Sequence, residues 1–252
     1  MTTVVALANQ KGGVGKTTTA INLAAALGAL EKRVLLVDCD PQGNATRGVG
    51  AEATYPHLYQ VLFDECSPSA AIRETDFAGL SLLPADRELV GAEVEFVGMS
   101  GWEVRLRRAL AEIKAQYDYV FLDCPPSLGH LTVNALTAAD RILVPLQCEY
   151  FALEGISDLV ATVRRVQANL NPRLVIGGIL LTMYDERTNL SSDVAREAHR
   201  FFQDRVYRTT VPRNVRLAEA PSHGLPILQY DIKCRGAEAY LALAREFLQR
   251  LE

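Results

Sequence analysis

The 252-residue sequence contains no run of the ~18 to 20 uninterrupted apolar residues that a helix needs to span a bilayer. It passes from Met1-Thr2-Thr3 straight into Val4-Val5-Ala6-Leu7-Ala8, without the basic flank and cleavage site of a secretory leader. A soluble, cytoplasmic protein is the expectation. Cysteine is sparse and unpatterned: Cys39, Cys66, Cys124, Cys148 and Cys234 are odd in number and show no CxxC or Cys/His spacing, which speaks against a disulfide framework or a zinc site. Free, buried thiols are expected. Neither sign of charge dominates, and a net charge of −4 argues against a surface that coats nucleic acid everywhere, while leaving room for a local basic patch. Repeats, low-complexity tracts and linkers are also lacking. With 49% apolar and 22% charged residues, the chain is long enough for one substantial core and short for two, so residues 1–252 read as a single domain.

What charge there is lies unevenly. Residues 1–186 hold 15 lysines and arginines against 22 aspartates and glutamates, a balance of −7, whereas residues 187–252 hold 11 against 8, a balance of +3.

Short apolar runs at 4–8, 33–38, 80–84, 119–123, 141–145 and 174–182 read as strands, and the stretches 16–30, 102–117 and 153–170 as helices between them. The strands are apolar on both faces, as a parallel sheet covered by helices requires. The fold class is therefore α/β: a doubly wound, mostly parallel sheet with helices on both faces. Residues 46–79, with Gly48, Gly50, Pro56, Pro68 and Gly79, predict a surface excursion with one short helix around 57–63. At the other end, 237–251 sets Tyr240, Leu241, Ala244, Phe247, Leu248 and Leu251 on one helical face. The opposite face mixes Arg245, Glu246, Arg250 and Glu252, which favours a core-packed helix over a membrane-surface one.

The first strand runs into Asn9-Gln10-Lys11-Gly12-Gly13-Val14-Gly15-Lys16-Thr17-Thr18, and a helix follows at once, the context that a phosphate loop needs. Glycines let successive N–H groups turn toward phosphate oxygens, and the helix N-terminus adds partial positive charge. Lys16 is placed to reach the β- and γ-phosphates of a nucleotide and the Thr17 hydroxyl to ligate Mg²⁺. The loop departs from the GxxxxGK[ST] pattern at Gln10 and adds Lys11, which by itself reads either as a second phosphate ligand or as a solvated surface charge.

Two further strands end in carboxylates. Val34-Leu35-Leu36-Val37-Asp38-Cys39-Asp40 closes on a turn, and Tyr119-Val120-Phe121-Leu122-Asp123 closes on Cys124-Pro125-Pro126-Ser127. Strand C-termini face the ligand side of an open α/β sheet. Asp123 is the Walker B candidate for Mg²⁺, and the two prolines stiffen a turn able to sense the γ-phosphate. Asp38 and Asp40 read as site carboxylates or, alternatively, as caps of their own turn.

A KGGxGKT loop of this kind is the deviant Walker A motif, and here the sequence resembles the ParA/MinD group of ATPases. The segments DPQGNAT at 40–46, DCPPS at 123–127, EYFALEG at 149–155, TMYDERTNL at 182–190 and VPRNVRLAEAPSHG at 211–224 are similar to those of the ParA/Soj chromosome and plasmid partitioning ATPases, over nearly the whole chain. The resemblance implies a weak Mg²⁺-dependent ATPase that forms a homodimer when ATP-bound, Lys11 reaching the nucleotide of the opposite subunit. It implies that Asp40 orients the attacking water, that Asp38 supports the Mg²⁺ shell, and that Pro212 and Asn214 lie against adenine. Glu149 and Glu154 would join the inter-subunit network. Arg187 and Arg216, with Arg213 as an extra, would contact non-specific double-stranded DNA, in keeping with the positive balance after residue 186. A ParB-like, centromere-bound partner and a nucleoid-associated location follow from the same resemblance.

Other readings stay open beside it. A P-loop ligase or kinase acting on a metabolite shares the loop. MinD-like positioning ATPases carry a Lys- and Phe-rich amphipathic tail beyond the last helix, and the chain stops at Glu252, so no membrane partner is expected. Nitrogenase iron-protein relatives ligate an iron–sulfur cluster with cysteines whose local pattern includes CGG, whereas Cys124 is followed by Pro125-Pro126, so electron transfer is not expected. Only three residues precede the first strand, so a helix-turn-helix for operator binding is not expected either.

Overall fold

Alternate residues of the first strand separate two cores: Val4, Ala6 and Ala8 belong to one apolar cluster and Val5 and Leu7 to the other. Side chains on a strand point to opposite faces in turn, so burial of both sets places a helical layer on each side of the sheet. The computed structural model describes residues 2–149 and 154–251, the side chains of 154 and 155 excepted. Within them run seven strands: β1 (Thr3–Leu7), β2 (Val34–Asp38), β3 (Arg73–Glu74), β4 (Leu80–Leu83), β5 (Tyr119–Asp123), β6 (Arg141–Gln147) and β7 (Val175–Thr182). They form one sheet in the order β3-β4-β2-β5-β1-β6-β7, parallel throughout except for the β3–β4 pair.

The helix Lys16–Ala29 covers one face together with the C-terminal helix Arg235–Gln249, joined by a hydrogen bond between the Thr19 and Tyr240 hydroxyls at 3.2 Å. The other face is covered by Arg105–Ile113, His130–Ala138, Glu154–Asn169 and Asn189–Phe202. Tyr240, Ala244 and Phe247 are buried, the core-packed face expected of the last helix. The helix expected over 102–117 is regular only at Arg105–Ile113, with single 3₁₀ turns before and after it.

Residues 46–79 differ from the expected surface excursion. Leu58, Val61, Leu62 and Ala71 are buried in the core, carried on helices of five and four residues that are too short to show a period. The edge strand β3 has two residues, both polar, and shows no alternation for the same reason. All five cysteines are free; Cys39, Cys124 and Cys148 are buried, and burial pushes the Cys148 thiol up to about 12. Among the described residues no helix is long and apolar enough to cross a membrane.

Candidate nucleotide site

β2, β5 and β1 are neighbours in register, with Asp38 beside Asp123 and Asp123 beside Leu7. Their C-terminal ends therefore bring the loop after Leu7 and both strand-terminal carboxylates to one place. Buried Asn9 anchors the start of that loop: its amide donates to the Pro145 carbonyl at 2.7 Å and its Oδ1 accepts from the Lys11 N–H at 3.0 Å. Gly13 and Gly15 have φ of 74° and 88°, a left-handed conformation that strains any residue with a Cβ. Gly15 caps the helix Lys16–Ala29 without a side-chain acceptor, and no acidic residue occupies the first turn, so the N–H groups there remain available to an anion. At the far side, the Thr182 hydroxyl donates to the Val14 carbonyl at 2.8 Å and ties the loop to the end of β7.

Lys16 is buried and its ammonium donates to the Lys11 carbonyl at 3.1 Å. Burial lowers its pKa, and the charges of Asp123 and Asp40 act in the opposite sense. Asp38 organises the turn that follows it: Oδ2 accepts from the Thr46 N–H and hydroxyl at 2.8 and 2.7 Å, and Oδ1 from the Asp40 N–H at 3.2 Å. Burial pushes the Asp38 carboxyl up to about 6 against those hydrogen bonds. Asp40, also buried, accepts from the Gln42 N–H at 2.9 Å.

Asp123 has no such support. Both of its oxygens are buried with no partner in hydrogen-bond geometry, although the Thr17 hydroxyl is near enough to favour the ionised form. Burial first, and the Asp38 charge next, hold its pKa well above the usual carboxylate range. A buried carboxylate normally finds partners, and one beside a second acid needs nearby cations to stay ionised; the Lys16 ammonium supplies part of that counter-charge, and burial and Asp38 still outweigh it. The hard oxygens of Asp123 and Thr17 suit Mg²⁺, which is bound by one or two protein groups with phosphate completing its shell.

A cavity of about 360 Å³ opens beside the loop, lined by Gly15, Thr18, Met183, Pro212, Asn214 and Leu217 among others. Pro212 is held by a bridge to Tyr184, and the Asn214 side chain caps the next short helix by accepting from the Arg216 N–H at 2.8 Å. The amide of Asn214 thus keeps its two donors for a ligand.

The remaining candidates lie outside this cradle. The Lys11 ammonium is 3.8 Å from one Glu149 oxygen, and Arg213 is 3.5 Å from the other. The Glu154 side chain lies outside the described residues. Arg187 is almost fully exposed and bonded by two nitrogens to Asp185, at 2.9 and 2.7 Å. Arg216 meets Glu219 at 2.9 Å and Asp231 at 3.6 Å. The structure also gives roles to Asn9, Thr46 and Thr182, which stand inside the quoted segments without being singled out there as site residues. Their part shows only once the strand ends meet.

A parallel sheet whose first strand feeds a glycine loop and a helix N-terminus, next to a Walker B carboxylate, defines a P-loop nucleotide-binding protein. Comparison with known proteins narrows the class. The AAA domain family model matches residues 2–176. The chain is 55% identical to the sporulation initiation inhibitor protein Soj of Bacillus subtilis, covering 96% of this chain and 97% of that one. It is 54% identical to the chromosome partitioning protein ParA of Caulobacter vibrioides, covering 98% and 94%. Among solved structures, a cobyrinic acid a,c-diamide synthase from Mycobacterium smegmatis with bound ADP and magnesium superposes with a TM-score of 0.88 at 41% identity, covering 100% and 96%. The chain belongs to the ParA/Soj family of chromosome-partitioning ATPases.

Proposed function

We propose that the chain is an ATP-switched homodimer that binds DNA without sequence preference in its ATP state and is reset by hydrolysis when a ParB-like partner stimulates it. The observation that carries this reading is the division between the two lysines of the loop. Lys16 is buried in its own phosphate cradle, whereas Lys11 stands at the rim, its side chain 36% exposed and paired, among the described residues, with Glu149. A cation at that rim is free to serve a phosphate on another subunit.

In this reading Lys16 and the loop N–H groups hold the phosphates, and Pro212 and Asn214 border the base. Mg²⁺ held by Thr17 and Asp123, with Asp38 behind them, would offset the charge that develops on the transferred phosphoryl group. Asp40 orients a water in line with the γ-phosphate, and Lys11 and Glu149 belong to the face where two subunits meet. Contacts to the γ-phosphate made only in the dimer bias the monomer–dimer equilibrium by nucleotide state. Arg187, Arg213 and Arg216 then present charge to DNA phosphates. Gel filtration with ATP, ADP or no nucleotide, each with and without an arbitrary DNA duplex, tests the reading. An ATP-specific dimer that retains DNA at low salt is expected; Asp40→Ala should keep that dimer while losing hydrolysis. A protein that stays monomeric with ATP would sink it.

The second reading, a metabolite-dependent ligase, draws on the likeness to the diamide synthase. ATP turnover that appears only with a small carboxylic acid and an amide donor, and no DNA retention, would favour it. The higher identity to partitioning proteins over the same length supports the switch.

A further inference from the structure

His57 precedes the helix Leu58–Leu62 and is buried there, its side chain 3% exposed. The Leu58 N–H donates to the Pro84 carbonyl at 2.8 Å, which sets the imidazole against the segment leaving β4. On that segment Asp86 Oδ1 lies 3.2 Å and Glu88 Oε2 3.4 Å from His57 Nε2, and the three atoms stand within 4.8 Å of one another. A second histidine of the protein gives the contrast. His130 Nδ1 closes on Glu93 Oε2 to 2.9 Å, the length of a charge-assisted hydrogen bond. At His57 neither carboxylate closes to that distance.

The charges at this cluster do not balance. Among the described residues, neither Asp86 nor Glu88 is paired with a lysine or an arginine. His57 Nδ1 is buried without a partner, and an imidazolium needs acceptors for both of its N–H groups. The neutral ring with its proton on Nε2 avoids that cost but leaves two like charges side by side without a counter-ion. A divalent cation on Nε2 supplies the missing charge. It leaves one proton on Nδ1, as the imidazolium does, but offsets it with three ligand bonds.

The spacing suits such an ion. Nitrogen and oxygen ligands about 2.0–2.2 Å from a tetrahedral Zn²⁺ lie about 3.3–3.5 Å apart. One buried amide aligns two of the three ligands: Gln60 Oε1 accepts from the His57 N–H at 3.0 Å, and Gln60 Nε2 donates to Glu88 Oε2 at 3.1 Å. Outer-shell groups hold metal ligands in this way. Glu88 directly precedes the helix Leu89–Glu95, yet its side chain does not cap that helix and turns back to His57 instead. Asp86 and Glu88 are 33 and 61% exposed, so the outer side is open to water.

We propose that His57 Nε2, Asp86 Oδ1 and Glu88 Oε2 bind a divalent transition-metal cation of the Zn²⁺ class, with water in the remaining position. The imidazole selects such an ion over Mg²⁺ or Ca²⁺, which take oxygen ligands. The proposal does not rest on the partitioning switch. The ion ties the helix Leu58–Leu62 to residues 84–88, where the Ala85 N–H donates at 3.1 Å to the Thr46 hydroxyl that supports Asp38. It therefore braces the turn behind the nucleotide site.

The probe is Zn²⁺ alone, titrated into the full chain after chelation, in excess Mg²⁺ so that hard-oxygen sites are filled. Calorimetry should give one ion per chain, and Co²⁺ in its place should give the intense visible absorption of a four-coordinate nitrogen and oxygen site. Asp86→Asn and Glu88→Gln should each weaken uptake by about tenfold or more, at least the effect of losing an outer-shell partner. His57→Gln should abolish it. Zn²⁺ should raise the melting temperature of the wild type but not that of the double carboxylate variant. Both carboxylates are partly exposed, so metal-free melting no lower than wild type certifies these variants even if His57→Gln fails to fold. Cys66→Ser with Cys234→Ser should retain the ion. No uptake by the wild type, undiminished uptake by the double carboxylate variant, or a Co²⁺–thiolate band that the serine variants remove would overturn the proposal.

Discussion

Lys11 and Glu149 of one chain face each other at 3.8 Å, and the second oxygen of the same carboxylate meets Arg213 at 3.5 Å. All three side chains are a third or more exposed, and an ion pair of that kind contributes about 0.2–1 kcal/mol. Glu149 therefore positions Lys11 without committing it, and a phosphate with more than one negative charge outcompetes it. Lys11→Ala should abolish the ATP-dependent dimer in gel filtration while nucleotide binding, followed with a fluorescent ATP analogue, persists. Glu149→Gln should alter unfolding free energy by no more than about 1 kcal/mol. Normal ATP-dependent dimers of Lys11→Ala would reduce Lys11 to a surface charge.

Asp123 presents the reverse case, a buried acid whose support from Thr17 and Lys16 is outweighed by burial and by Asp38. Its two oxygens lack partners and its ionised form is opposed by burial and by Asp38. Asp123→Asn removes the ionisable group at constant shape and with it the repulsion from Asp38 and Asp40. The variant should gain roughly 1 kcal/mol, a rise of about 2–4 °C in melting temperature for a domain of this size. It should at the same time lose Mg²⁺-dependent ATP hydrolysis. A destabilised Asp123→Asn protein with undiminished hydrolysis would remove Asp123 from the metal's shell.

The strands and the phosphate loop were legible in the residues because both are local signals. Apolar runs such as 119–123 need only be buried on both faces, and the glycines at 13 and 15 are required by the loop's own backbone. The strand-end carboxylates were legible too, since a parallel strand delivers its last residue to the ligand side. Thr46, Asn9 and Thr182 were not. Each stands in a quoted segment, but each acts on a group far away in sequence or across a turn, on Asp38, Pro145 and Val14, and the segment alone does not say which of its polar residues does so. The helix Leu89–Glu95 escaped for a related reason, because apolar residues on two faces blur the helical period. The cis pairing of Lys11 with Glu149 depends on how the ends of β1 and β6 meet, which spacing alone does not encode.

Charge counting suggested a basic C-terminal region, and the structure qualifies what that surplus means. Arg187, Arg213 and Arg216 each have a carboxylate partner, respectively Asp185, Glu149 and Glu219. These pairs are exposed and weak, so a DNA phosphate can replace the carboxylate, but the exchange offsets part of the gain. Arg216→Glu should weaken binding to all duplexes alike and lower the slope of log K against log salt by about 0.9 for the one phosphate that is no longer neutralised. Filter binding over a salt series on two unrelated sequences measures both. A change in sequence preference, or an unchanged slope, would place the DNA-binding surface elsewhere.

Glu246 connects the last helix to the segment that leads to the cavity beside the phosphate loop. Its carboxylate accepts from the Arg208 and Thr209 N–H groups at 2.8 Å each and pairs with Arg250, whose guanidinium lies 4.1 Å from the Tyr207 ring centroid. Burial acts to raise its pKa, yet the N–H donors and Arg250 outweigh it and the carboxyl titrates below its usual value. A depressed carboxylate contributes stability that is present above the unfolded-state pKa, about 4.3, and is lost as pH falls through the folded-state value. Glu246→Gln keeps the shape but gives up the charge-assisted bonds, each worth about 1.5–3 kcal/mol, and puts an N–H where one backbone donor points. The variant should be less stable than the wild type by about 2–3 kcal/mol near neutral pH, and the gap should narrow as both proteins are taken below the carboxylate range. Because residues 207–209 lead directly to Val211 and Pro212, nucleotide affinity should fall with it. Denaturant melts at several pH values separate the two effects; a gap that stays constant into acid would show that shape at Glu246, and not its charge, holds the segment.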